Sequence, residues 1–384
     1  MKNFFRQLAF RLRTPPPEHW RKQLVKLLWL LLFPLALLLK EWGAANNTLV
    51  EKYYSTGLYP VVSQAVNFLF GWMPFSAAEM LLYLGIVAII VYLVFQTVML
   101  IIKSERALRL FKLLVHLAMI VSIGYFIFEG VWGLNYYRHP LAITLGYTVE
   151  PRSVSDLKRL CSTLANAANE LRAGLPEDDK GVMKLPVGKY ELLKRIPNVY
   201  GALSKQYPLF NARYGPPKPV LLSRQMSYTD IQGIFFPFTI EPNVNIGIPD
   251  AFLASTACHE VAHQYGFARE DEANFIGYLA CMASEDKEIQ YSGVMMALTI
   301  SMNALAGYDG DAYWDIAGTY CDGIRRDLNA QSAYWKQFEG PVAETSGKMN
   351  NAYLKSNKQA DGTNSYGRMV DLLLAQMLTA EEGK

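Results

Sequence analysis

The chain has 384 residues, 51% of them hydrophobic, a net charge of +3 and a mean hydropathy of +0.08. It is too apolar for an ordinary soluble protein and too polar for one that lies in a membrane throughout, so a membrane part joined to a water-facing domain with its own core is expected. The small net charge, with no long basic tract after Lys26, excludes a nucleic-acid partner, and four cysteines without CxxC spacing (Cys161, Cys258, Cys281 and Cys321) exclude a zinc knuckle or redox motif.

In chain order, a basic leader covers residues 1–23 with Lys2, Arg6, Arg11, Arg13, Arg21 and Lys22. A leucine-rich apolar run follows over about 24–40, with Lys26 near its start and Pro34 inside, where a membrane helix tolerates proline. Its basic lead and short length also fit a signal peptide, but Lys40 and Glu41 interrupt the region where cleavage should occur. Two longer runs, 77–102 and about 113–132, are each long enough to cross a bilayer. Residues 24–133 therefore read as a three-helix membrane anchor, with the lipid bilayer as partner. The connection between the second and third runs carries Lys103, Arg106, Arg109 and Lys112 against Glu105, whereas 41–76 holds Lys52 as its base. Basic residues stay inside, which predicts a multi-pass cell-membrane protein with a cytoplasmic N-terminus and everything after about Gly133 extracytoplasmic. His116, near the cytoplasmic end of the third run, is read as facing other helices or snorkelling.

Residues 134–384 have the composition of a globular domain. Ser153 and Asp156 form a capping-box pattern, and Val154, Leu157, Leu160, Leu164 and Leu171 recur at helical spacing. A second helix is predicted over 189–205. Short strands follow at 219–223, 234–240 and 243–248, cut by Pro237 and Pro242, and proline favours an edge or a bulge. Pro249 and Asp250 open a helix that Gly266 closes. Further helices are expected at 270–284, 292–306, 312–338, 344–356 and 364–378. The outer domain is thus α+β, mostly helical with a small sheet.

The chemistry concentrates at His259-Glu260-Val261-Ala262-His263, an HExxH sequence. Two histidines four apart on a helix face one side and can grip one metal ion, and the glutamate between them then stands as a base beside a water held there. The other histidines are scattered: His19 in the leader, His116 in the third run and His139 just beyond it. A catalytic zinc usually takes three protein ligands, so the third should be a carboxylate, and Glu270, Asp271 and Glu272 follow the Gly266 turn as candidates. Cys258 reads as a small buried residue on the metal helix. Tyr291, Tyr366 and Arg368 are candidates for stabilising a developing oxyanion, each with an alternative reading as a packing or surface residue. The strand at 243–248 is a candidate edge for an extended peptide.

HExxH followed by Glu270-Asp271-Glu272-Ala273-Asn274 resembles the gluzincin metallopeptidases, with their E-x-x-A-D or E-x-x-A-N helix. The resemblance implies Glu270 as the third ligand, Glu272 as its alternative, and Asn274 bonding a histidine ring nitrogen. The gap of six residues between His263 and Glu270 is shorter than in many gluzincins. The metzincin pattern HExxHxxGxxH is also similar, but Arg269 holds its last ligand position, and a guanidinium cannot bind zinc. Segments 132–138 (WGLNYYR), 236–239 (FPFT), 241–245 (EPNVN), 353–357 (YLKSN) and 365–368 (SYGR), with the three spans, resemble the bacterial DUF3810 family of membrane proteins with a zincin-like domain. That resemblance covers nearly the whole chain and implies an architecture without naming a substrate. The expectation is a membrane-anchored, Zn2+-dependent metallopeptidase acting on a peptide or protein. Its alternatives are a catalytically silent envelope scaffold with a structural zinc and a zinc amidase acting on cell-wall material.

Overall fold

The computed structural model describes residues 25–102, 106–357, 359, 362 and 368–382. The leader, Lys103, Glu105 and Tyr366 lie outside the described residues. The longer elements in chain order are α1 (Leu32–Ala45), α2 (Tyr59–Phe70), α3 (Ala77–Ile102), α4 (Arg106–Val131), α5 (Val154–Arg172), α6 (Lys189–Gln206), β1 (Lys218–Pro219), β2 (Gly233–Phe236), β3 (Glu241–Val244), α7 (Leu253–Gln264), α8 (Glu270–Ala283), α9 (Lys287–Tyr308), α10 (Gly310–Gly318), α11 (Asp322–Lys336), α12 (Pro341–Ser356) and α13 (Met369–Glu382). Among the described residues, three helices are long and apolar enough to cross a membrane: Leu27–Ala45, which includes α1, then α3 and α4. The third begins at Arg106, ahead of its apolar run, because nothing in its basic first turns breaks a helix.

The chain divides into two compact units, one built from the segments up to Ala45 and Leu81–Val131, the other from Asn46–Met80 and everything from Trp132 on. In the first, His116 sits between helices rather than snorkelling: its Nε2 is 2.9 Å from Lys26 Nζ and its Nδ1 2.7 Å from the Tyr92 hydroxyl.

The second unit is helical around a small sheet. Ser153 caps α5 through a full capping box with Asp156, and Leu157, Leu160 and Leu164 are buried against α9. Val154, expected on that face, is exposed because it lies in the first turn, before the helix reaches the core. The sheet has the order β1-β3-β2, with β1 parallel and β2 antiparallel to β3. The proline-bearing strand is therefore central, not an edge. Pro242 is tolerated there because β1 pairs only with Asn243 and Val244, so the ladder never calls on its missing N–H. The expected helix over 312–338 is two helices. Asn169 of α5 takes the Cys321 N–H (2.8 Å) and donates to the Thr319 carbonyl (3.0 Å), satisfying the backbone where the chain breaks between α10 and α11. All four cysteines are free thiols, three of them buried.

Residues Asn46–Met80 belong to this unit, although they lie between two apolar helices in sequence. The buried Lys218 ammonium donates to the carbonyls of Gly71 (2.7 Å) and Met73 (2.6 Å). The Glu241 carboxylate accepts the N–H groups of Ala77 (3.2 Å) and Ala78 (2.7 Å), and Glu79 accepts those of Leu221 and Leu222. A carboxylate at the first free amides of α3 satisfies orphan donors and complements the helix dipole. Glu241 thus fixes the start of α3 to the sheet.

Candidate metal centre

The metal helix α7 ends in a Schellman turn: the Phe267 N–H bonds to the Ala262 carbonyl (3.2 Å) and the Gly266 N–H to the His263 carbonyl (2.8 Å). Gly266 takes φ +83°, and a side chain there would also meet the Tyr59 ring at 2.9 Å. The turn sends the chain straight into α8, and Gly277 lets α8 close on α7, since a Cβ at that position would lie 3.1 Å from the His259 nitrogen. These two glycines bring the first residue of α8, Glu270, over the histidines.

His259 Nε2, His263 Nε2 and Glu270 Oε2 converge. The two nitrogens are 3.1 Å apart and lie 3.2 and 3.5 Å from the carboxylate oxygen. His263 Nδ1 lies 2.7 Å from the Phe267 carbonyl, and His259 Nδ1 lies 2.8 Å from Asn274 Oδ1. Both partners can only accept, so each Nδ1 carries the proton and each Nε2 turns a lone pair toward the other. Two lone pairs and a carboxylate oxygen at such separations repel unless a cation lies among them. A tetrahedral zinc with bonds of about 2.0–2.2 Å holds its ligand atoms roughly 3.3–3.6 Å apart, so the donor set suits that ion in type and, at 3.1–3.5 Å, is slightly tighter in spacing.

The three donors are the one group of metal-binding character among the described residues. All three side chains are largely enclosed, with 12% of His259, 7% of His263 and 11% of Glu270 exposed. Burial would lower the His263 pKa, but the Glu270 charge outweighs it and lifts the imidazole to about 9; the same pairing holds Glu270 well below the usual carboxylate range despite burial.

Glu260 lies on the same helix, 4% exposed, against β2. Its carboxylate accepts the Phe235 N–H, and burial pushes it up to about 7, opposed by His259 and His263. Gly233 makes room for it, since a Cβ there would sit 2.5 Å from Glu260 Oε1. Strand β2 pairs with β3 on one side only, and Glu260 meets it at Phe235 and Gly233.

The remaining sequence candidates lie elsewhere. Glu272 is not a ligand: it accepts from Arg269 Nη1 (2.6 Å) and from the Leu141 N–H (2.7 Å), so its carboxylate is held against the segment that follows α4. The same Arg269 donates to the Arg138 carbonyl. Tyr291 is fully buried and donates to Asp327 (2.7 Å), which also binds the buried Arg172 (2.7 Å); it belongs to a core ion pair, away from any oxyanion. Arg368 Nε lies 3.4 Å from Asp271 Oδ2, beside the start of α8. His139 bonds to Thr48 (3.2 Å) and does not fold back to the metal position. Cys258 is buried, its carbonyl taken by the Tyr200 hydroxyl, in keeping with a packing role.

The exit of α7 is held by residues that sequence reasoning did not single out for the site. Trp132, immediately after α4, donates from its indole to the His263 carbonyl (3.4 Å) and packs edge-on to the His263 ring and against Phe235. The Tyr59 hydroxyl donates to the Gln264 carbonyl (2.9 Å), and Arg138 to the Gly266 carbonyl (3.1 Å) while pairing with Glu51 (2.8 Å). Three late carbonyls of the metal helix and its turn are thus satisfied by side chains adjoining the apolar helices.

A family model described as a protein of unknown function (DUF3810) matches residues 54–374, from just before α2 to α13. The chain belongs to the DUF3810 family. The matched region contains the metal cluster, the sheet, and the segments around Tyr59 and Trp132 that hold α7. No curated protein and no solved structure matches the chain.

Proposed function

We propose that this DUF3810 member is a membrane-anchored, zinc-dependent metallopeptidase whose zincin-like domain hydrolyses peptide bonds on the extracytoplasmic side. The observation that carries the reading is the convergence of His259 Nε2, His263 Nε2 and Glu270 Oε2 at 3.1–3.5 Å, with both Nδ1 protons already donated elsewhere. His259, His263 and Glu270 would hold the ion, which when bound supplies Lewis-acid polarisation of the scissile carbonyl. Glu260 is the proton carrier: its carboxylate takes a proton from the attacking water and returns it to the leaving amine. The Phe235 N–H and the bare backbone of Gly233 set the position of that carboxylate. Three protein donors leave a fourth position free, as a catalytic rather than a structural zinc requires. The basic residues of the leader and of the connection between the second and third spans support the extracytoplasmic placement.

The purified full chain should contain near-stoichiometric zinc and lose it in His263→Ala. Glu260→Gln should keep the zinc and lose hydrolysis of a peptide library. Full zinc retention in His263→Ala overturns the ligand assignment, and unchanged turnover in Glu260→Gln overturns the proton carrier. Turnover of cell-wall amides with none of peptides would change the bond and keep the site.

A further inference from the structure

Helix α2 is amphipathic in the reverse sense for a helix in water. Three of its polar residues point inward: the Tyr59 hydroxyl donates to the Gln264 carbonyl, the Ser63 hydroxyl bonds that of Tyr214 (2.7 Å), and Asn67 Oδ1 accepts the Gly215 N–H (3.0 Å). The fourth, Gln64, is exposed and turns its amide back onto the Pro60 carbonyl (2.9 Å), and several apolar residues point outward. Val61, Phe68 and Leu69 recur at helical spacing with Phe68 81% exposed, and the stripe extends through Leu58 before the helix and Trp72 (75%) and Phe75 after it. No charged residue lies between Lys52 and Glu79. The Trp72 indole N–H is bonded to the Leu69 carbonyl (2.9 Å), so the ring needs no water to satisfy its one polar atom.

A contiguous aromatic and aliphatic face marks an interaction site. Its occupant follows from the chain itself. The segment is joined at one end to Leu27–Ala45 and at the other to α3, both apolar enough to cross a membrane, and only residues 71–76 separate α2 from α3. We propose that α2 and the turn after it form an interfacial helix, with Leu58, Val61, Phe68, Leu69, Trp72 and Phe75 lying in the surface of the bilayer that holds the spans. Tryptophan and phenylalanine on the apolar face of a helix are suited to that depth. Because Tyr59 on this helix also holds the exit of α7, lipid contact reaches the metal centre through one side chain. Chains that run along or emerge from the membrane surface are then the ones best placed to reach the site, a consequence that rests on the peptidase reading, whereas the placement of α2 does not.

The test uses the full chain in phosphatidylcholine nanodiscs. A spin label is attached at Phe68→Cys, Trp72→Cys or Ala65→Cys, the last a small change on the same exposed face, each in a Cys321→Ser background. Lys194→Cys on α6, 65% exposed beside Glu191, serves as the water-facing control. The ratio of collisions with oxygen to collisions with a water-soluble nickel chelate should be several-fold higher at positions 65, 68 and 72 than at 194. A ratio equal to that at 194 places the face in water and overturns the proposal. Exclusion of both reagents also overturns it, in favour of a protein occupant such as a second copy. The readout involves neither metal nor hydrolysis, so its failure leaves the peptidase reading standing, and loss of that reading leaves the interfacial helix.

Discussion

Two imidazoles whose δ nitrogens are both committed to oxygen acceptors are costly to hold 3.1 Å apart without a cation, so the residues around them must be built to keep them there. Asn274 does this for His259. Asn274→Ala should weaken zinc binding about 10–100-fold in a chelator competition, while Asn274→Asp, which retains an acceptor oxygen, should come close to the parent. Gly233 does it for Glu260. Gly233→Ala should leave zinc content unchanged and abolish most turnover, since the new Cβ would lie 2.5 Å from the carboxylate; full activity would show that the carboxylate is free to move without loss. The histidines and Glu270 were legible in the sequence because helical spacing and one glycine turn place them together within twelve residues. Gly233, Phe235 and Trp132 were not, because they arrive from distant segments and carry no titratable group. Tyr291 and Glu272 have the right chemistry for a site, and only their buried partners, Asp327 and Arg269, reveal that it is spent on structure.

The close crossing of α7 and α8 depends on conformations that only glycine adopts easily. Gly266→Ala should cost about 1–2 kcal/mol for its left-handed backbone alone, with a further penalty from the Tyr59 ring, read as a lower melting temperature of the purified protein. Another joint is the buried Arg172–Asp327 pair, which ties α5 to α11 and takes the Tyr291 hydroxyl of α9. Asp327→Asn removes its charge from beside a guanidinium that is 3% exposed, and a loss of about 3–5 kcal/mol is expected, detected by the same melt. Most helices were recognisable from periodicity and caps, with α5 announced by its capping box. The break between α10 and α11 is marked in sequence only by Gly318 and the Asp322-Gly323 pair, which the helical spacing on either side outweighs, and its free backbone groups are satisfied by Asn169, about 150 residues away. The central place of β3 was hidden for a similar reason, since whether Pro242 interrupts a ladder depends on how far its neighbour β1 extends.

Across the whole molecule, the metal domain is not one continuous stretch of chain. A fragment beginning at residue 134 looks like a natural domain by composition, but it lacks Trp132, Tyr59 and Glu51, all of which engage the exit of α7 or the Arg138 that holds it. Such a fragment should express as an unstable protein with little bound zinc, whereas a stable, stoichiometrically metallated one would show that residues 46–80 are dispensable to the site. In sequence these residues fall between two apolar runs, inside the stretch assigned to the membrane anchor, and nothing local shows that Tyr59, Ser63 and Asn67 face inward. The Tyr59–Gln264 bond closes 205 residues of chain. In synthesis Tyr59 is therefore made 205 residues before the carbonyl it holds, with two more apolar helices produced in between. A chain that stops short of Gln264 therefore carries Tyr59 without the carbonyl it holds, and the exit of α7 is fastened only once both ends of that 205-residue span are present.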